Sequence, residues 1–110
     1  MRREVSKYLY DVTKACDAIR QFTMGKTLKD YQSNLLLRSA VERQLMIIGE
    51  ALNQAVRLEP ELSEQIDEVR QIVNLRNIIV HGYAVVENET IWGITQDQVP
   101  ALAERVNQLL

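Results

Sequence analysis

The sequence predicts an all-α fold, a bundle of four to five helices running up and down. Three observations predict it. Apolar residues recur at intervals of three and four along most of the chain, and no useful length shows the in–out alternation of a strand. Aromatics number only six (four Tyr, one Phe, one Trp), so Leu, Ile, Val and Ala must fill the core, a composition that suits helix packing. With 110 residues, 46% apolar and 25% charged, the chain is long enough for one core, too short for two, and too apolar to stay disordered. A single domain over 1–110 is expected, without repeats, low-complexity segments or linkers.

The first helix is expected from about Arg3 to Met24, where Val5, Leu9, Val12, Cys16, Ile19 and Phe22, supported by Tyr8 and Ala15, form one stripe. Gly25 is a natural stop, and Thr27 can cap a brief helical turn through Tyr31. A second long helix begins near Ser33 or Asn34 and runs to about Leu58. Its apolar positions Leu36, Leu37, Ala40, Val41, Leu45, Ile48, Ala51, Leu52, Ala55 and Val56 make a stripe too broad for one neighbour, which places this helix at the centre. Gly49 inside it costs about 1 kcal/mol against Ala, so a close helix–helix approach is expected there. Pro60 breaks the chain and 61–68 forms a short acidic turn or helix. A further helix runs from about Asp67 to His81, ended by Gly82, and 84–86 reads as extended or loop. Asn88 can cap a helix holding Ile91, Trp92 and Ile94. Asp97 can cap the last one, with Pro100 in its first turn, where a missing N–H does no harm. Val99, Leu102, Val106, Leu109 and Leu110 supply its buried face.

The composition also excludes classes of function. The single cysteine, Cys16, cannot form an internal disulfide and, at i+4 from Val12, reads as a small buried hydrophobe and not as a nucleophile. No apolar run is long enough to span a bilayer, and the charged start Met1–Glu4 lacks the apolar segment of a signal peptide, so no membrane association and a cytoplasmic location are expected. One histidine, one cysteine and no carboxylate pair at ligand spacing around His81 leave no visible metal site, and no glycine-rich phosphate loop occurs, so no cofactor is expected. The net charge of −2 conceals a polarity: residues 1–43 carry nine Lys or Arg against five acids, and 44–110 carry four against ten. The basic half can guide a nucleic-acid backbone or supply ordinary solvated helix faces. The acidic run 59–68 suits a basic protein surface better than a nucleic acid.

Candidate function concentrates in Arg70–Tyr83. On a helix, Val69, Ile72, Val73, Leu75, Ile79 and Val80 make a wide apolar surface, while Arg70, Asn74, Asn77 and His81 form a separate polar stripe. Arg76 stands on the apolar border, and its guanidinium must reach past it to water, phosphate or carboxylate. Glu42 and Glu50 can be acid–base groups or metal ligands, or else surface carboxylates and partners for Arg38, Arg43 or Arg76. His81 taken alone is compatible with a helix-terminal histidine satisfying the last carbonyls.

The longer pattern Arg76-Asn77-x-x-x-His81-Gly82-Tyr83 resembles the Arg-polar-x(4–6)-His signature of HEPN-domain ribonucleases and, in its Arg-x4-His-x-Tyr form, the HepT toxins of bacterial and archaeal toxin–antitoxin pairs. The segment Arg38-Ser39-Ala40-Val41-Glu42-Arg43-Gln44-Leu45, running into 47–52, is similar to the family's second long helix. Ile91-Trp92 and Val99-Pro100-Ala101-Leu102 are similar to its C-terminal segment. Val69 departs from the pattern, standing where many members carry an aromatic. The resemblance implies a HepT-like homodimer, a metal-independent endoribonuclease toxin neutralised by an MntA-type nucleotidyltransferase antitoxin that attaches AMP to Tyr83.

The residue types suit that chemistry. The 2′-OH of RNA can attack the adjacent phosphorus once deprotonated, leaving a 2′,3′-cyclic phosphate. His81, with an unperturbed pKa of about 6.5, can exchange a proton with that hydroxyl or with the leaving 5′-oxygen. Arg76 can grip the phosphoryl oxygens as charge builds, and Asn77 can orient the imidazole or hold the phosphate. Positions 76 and 81 lie roughly 140° apart around a helix and about 7.5 Å along it, so they do not project together. Pairing two such helices about a dyad would bring both residues and their copies into one cleft. The alternatives are a noncatalytic HEPN subunit that binds nucleotide or docks a nucleotidyltransferase, and an inactive helical protein whose motif polar groups pair internally.

Overall fold

The turn from the first helix into the second is written locally. α1 (Arg3–Thr23) buries Val5, Leu9, Val12, Ala15, Cys16 and Ile19 along one stripe. Gly25 then takes φ +73°, the left-handed conformation that lets the chain reverse. α2 (Leu28–Ser33) opens on a reciprocal capping box, Asp30 N–H donating to Thr27 Oγ1 (3.2 Å) and Thr27 N–H to Asp30 Oδ2 (2.9 Å). α3 (Leu35–Leu58) is capped by Asn34, whose Oδ1 accepts from Leu37 N–H at 3.0 Å. Four further helices follow: α4 (Leu62–Gln65), α5 (Val69–His81), α6 (Asn88–Gln96) and α7 (Gln98–Leu109). A computed structural model describes residues 1–81 and 87–110 of the chain, apart from the side chains of Ile78 and His81.

α3 is the central element, as its broad stripe predicts. α1 packs along one flank and α5 along the other, α7 lies on α1, and α6 bridges α7 and α2. The buried residues of these helices form one cluster. The shortest dimension of the molecule, 19 Å, is that of two helix layers of about 10 Å each. Among the described residues no helix is long and apolar enough to cross a membrane.

The all-α bundle is as expected: seven helices occur among the described residues, of which five have nine residues or more, and the brief helical turn near Thr27 and the short acidic stretch 61–68 correspond to α2 and α4. Other expectations are corrected. Leu36 is 80% exposed: the buried positions of α3 repeat through Leu37, Val41, Leu45, Ile48, Leu52 and Ala55, and Leu36 stands about 100° off that line. Leu110, the final residue, is also exposed. Asn88 is the first residue of α6, with Glu87 at the N-cap and no side-chain cap. Asp97 occupies the N-cap of α7 without capping it. It also ends α6, donating its N–H to Gly93 O at 2.9 Å, and its helical φ/ψ of −113°/−64° lacks the extended backbone that cap residues use. The loop expected at 84–86 and the stop at Gly82 lie outside the described residues.

Candidate functional site

α5 packs on α3 with Ile72 and Leu75 buried, and the two helices approach closely at Gly49. A Cβ added there would collide with Arg76 Cβ, lie 2.8 Å from Arg76 Cγ and 3.3 Å from the Ile72 carbonyl oxygen. The missing side chain of Gly49 is therefore filled by the root of Arg76, which is the close approach that the glycine predicts.

With its root fixed, the Arg76 guanidinium turns toward the rim. Its Nη2 pairs with Glu50 Oε2 at 2.8 Å and its Nη1 donates to Asn77 Oδ1 at 2.9 Å. Glu50 is held in turn, because Gln54 Nε2 donates to its other oxygen at 3.0 Å. The Arg76 side chain remains 24% exposed and that of Glu50 46%. A guanidinium has five N–H groups, so this arrangement leaves donors for an anion. Glu50 is thus the carboxylate that meets Arg76. Glu42 makes no ion pair among the described residues, and Arg38 donates to the carbonyls of Tyr31 (3.4 Å) and Gln32 (2.6 Å) at the end of α2.

Beside this network a groove of about 390 Å³ runs over α3. Arg43, Met46, Ile47, Glu50 and Ala51 of α3 form its floor, Tyr8 and Asp11 of α1 one wall, and Arg76 and Val80 of α5 the other. That volume lies within the range of small-ligand sites, about 300–1,000 Å³. His81 is the last residue of α5, next to Val80; its side chain and the whole of Tyr83 lie outside the described residues. The polar stripe of α5 divides. Arg70 and Asn74 line a separate depression with Asn53, Val56 and Asp67, whereas Asn77 is bonded to Arg76.

Tyr8, Asp11 and Gln54 were not recognised as site residues from the sequence. The only available signal is that each is a polar or amphipathic residue bordering the apolar stripe of its helix. Cys16 is buried, and burial pushes its thiol up to about 12. The Tyr31 hydroxyl is likewise raised to about 12, by burial first and then by the Glu42 charge. Among the described residues no group of three or more His, Cys, Asp or Glu is placed to hold a metal ion.

The fold and site define a class: an all-α domain whose central helix pair presents a partly neutralised arginine to a surface groove, ahead of a helix-terminal histidine. The family described as "Ribonuclease HepT-like" matches residues 12–109, and the chain belongs to that HEPN-type family. It is 30% identical over 107 residues to the Methanocaldococcus jannaschii protein named "Putative RNase MJ1380", covering 96% of this chain and 95% of that one. It is 29% identical over 113 residues to "Probable ribonuclease HepT" of Thermococcus cleftensis, covering 99% and 98%. To "Putative RNase TTE0752" of Caldanaerobacter subterraneus it is 28% identical over 105 residues, covering 94% and 91%. No solved structure matches the chain.

Proposed function

We propose that this chain is a metal-independent endoribonuclease, the toxin of a toxin–antitoxin pair, with Arg76, Asn77 and His81 as its catalytic residues. The observation that carries the reading is the Arg76 guanidinium. It is rooted over Gly49, restrained by Glu50 and Asn77, directed to an open groove, and set five residues before the only histidine. His81 takes the proton of the RNA 2′-OH, the 2′-oxygen attacks phosphorus, and the 5′-oxygen leaves with a proton from an acid. The products are a 2′,3′-cyclic phosphate and a 5′-hydroxyl. Arg76 binds the phosphoryl oxygens as negative charge builds, exchanging part of its bond to Glu50 for the substrate.

One histidine per chain supplies one proton-transfer group. A homodimer whose clefts adjoin provides both base and acid, in keeping with the separation of positions 76 and 81 along and around α5. The likeness to HepT toxins supports an MntA-type nucleotidyltransferase as the antitoxin and Tyr83 as the site of AMP attachment. AMP two residues beyond His81 would bring bulk and negative charge to the entrance of a phosphate site.

The test is RNA cleavage by purified chain in the presence of a chelator, with intact mass recorded for protein made with and without a co-expressed nucleotidyltransferase. Cleavage leaving cyclic phosphate ends, lost in His81→Ala and Arg76→Ala, is expected. RNA binding without cleavage by protein of unmodified mass would replace this reading with the noncatalytic subunit.

A further inference from the structure

The groove continues well beyond Arg76. We infer that its far end is a second nucleotide subsite, in which Arg43 binds a phosphate flanking the scissile one and Tyr8 supports a base of single-stranded RNA. The inference rests on the ribonuclease reading for the place of the scissile phosphate, but its own residues are separate. Arg43 and Arg76 line one continuous cavity. Arg43 precedes Glu50 by seven residues on α3, two turns or about 10.5 Å along the axis, and Glu50 is bonded to Arg76. An extended strand laid along the groove therefore meets the two arginines at different phosphates.

The two cations also differ in commitment. Arg76 is compensated by Glu50, whereas Arg43 is exposed and makes no ion pair among the described residues. On the opposite wall the one acid, Asp11, shares its stripe of α1 with Lys7 a turn before it and Lys14 a turn after. Among the lining residues Arg43 and Arg76 match Asp11 and Glu50 in number, and Lys7 and Lys14 add positive charge on α1 on either side of Asp11. The remaining surface suits bases: Tyr8 packs on the core while staying part-exposed, and Met46, Ile47, Ala51 and Val80 are apolar. Stacking on an aromatic ring contributes about 1–3 kcal/mol per base without sequence preference. Aromatic and apolar surface of this kind suits an unpaired strand, whose bases are free to stack.

The experiment uses full-length protein and a fluorescent single-stranded 2′-O-methyl RNA, which keeps bases and phosphates but lacks the attacking hydroxyl. Anisotropy is read across a salt series. Arg43→Ala should raise Kd about tenfold and flatten the salt dependence by roughly one phosphate contact. Tyr8→Ala should raise Kd at least about fivefold, with Tyr8→Phe close to wild type. Arg57→Ala, an exposed cation on α3 outside the groove, should bind as wild type. The subsite is overturned if wild type does not bind, if Arg43→Ala keeps the wild-type Kd and slope, or if Arg57→Ala weakens binding equally. A folded Arg43→Ala, checked by its melting curve, validates the comparison. Failure of the ribonuclease reading shows separately, as absence of cleavage of unmodified RNA while the binding results stand.

Discussion

Arg76 has two tasks, and they separate energetically. Its ion pair with Glu50 joins side chains that are 24% and 46% exposed, and such solvent-screened pairs contribute at most about 1 kcal/mol. Arg76→Ala should thus move the melting temperature by only a few degrees while abolishing RNA cleavage. A collapse of the fold in parallel with activity would show that the residue is structural. Cys16 makes the opposite case, a reactive type held inert. Burial favours the neutral thiol in the folded chain, with a pKa of about 12 against 9.0 unperturbed. The stability it confers is complete below about pH 9 and is lost as pH rises toward 12. Tyr31, raised from 10.0 to about 12, adds to the same alkaline loss. Thermal stability should accordingly fall above pH 9, with a later onset in Cys16→Ala. A thiol reagent should label the native chain far more slowly than the urea-unfolded one.

Between elements, the α3–α5 contact is the sensitive one. By intrinsic propensity Gly49→Ala would stabilise α3 by about 1 kcal/mol. The new methyl group, however, meets the root of Arg76 and the Ile72 carbonyl, neither of which can swing aside like the tip of a flexible side chain. α5 must move, and overpacking of this kind costs about 1–3 kcal/mol. Gly49→Ala is expected to lower the melting temperature, and to lower cleavage by more than the lost stability explains, because the displacement falls on Arg76. An unchanged or raised melting temperature with full activity would show that the helices have slack here.

At the scale of the whole molecule, a polar clasp ties α7 to the start of α5. Arg105 of α7 bonds Glu68 Oε1 at 3.0 Å and Asp67 Oδ2 at 3.2 Å. Glu68 is buried, its second carboxylate oxygen has no partner, and its carbonyl accepts from Ile72 N–H in the first turn of α5. Removing Arg105 leaves a buried carboxylate uncompensated. Arg105→Ala should therefore lower the melting temperature clearly, whereas Arg20→Ala, which breaks the exposed pair with Asp17, should not. Adding Glu68→Gln to Arg105→Ala should recover part of the loss. Equal melting temperatures for the two single variants would refute this role for the clasp.

Much of this was legible in the sequence itself. The long helices, the cap at Thr27 and the burial of Cys16 depend on residues within a turn or two of one another, so periodicity and propensity determine them; the poor helix propensity of Gly49 signalled a close approach there, though not its partner. The motif on α5 was legible for the same reason. Tertiary structure alone decided that Glu50 and not Glu42 meets Arg76, that Arg70 and Asn74 face another depression, that Tyr8 and Asp11 wall the groove, and that Arg105 clasps Glu68. Each of these depends on the angle and register at which separate helices pack. A stripe on one helix states which side is buried, and it does not encode which residue of another helix lies opposite.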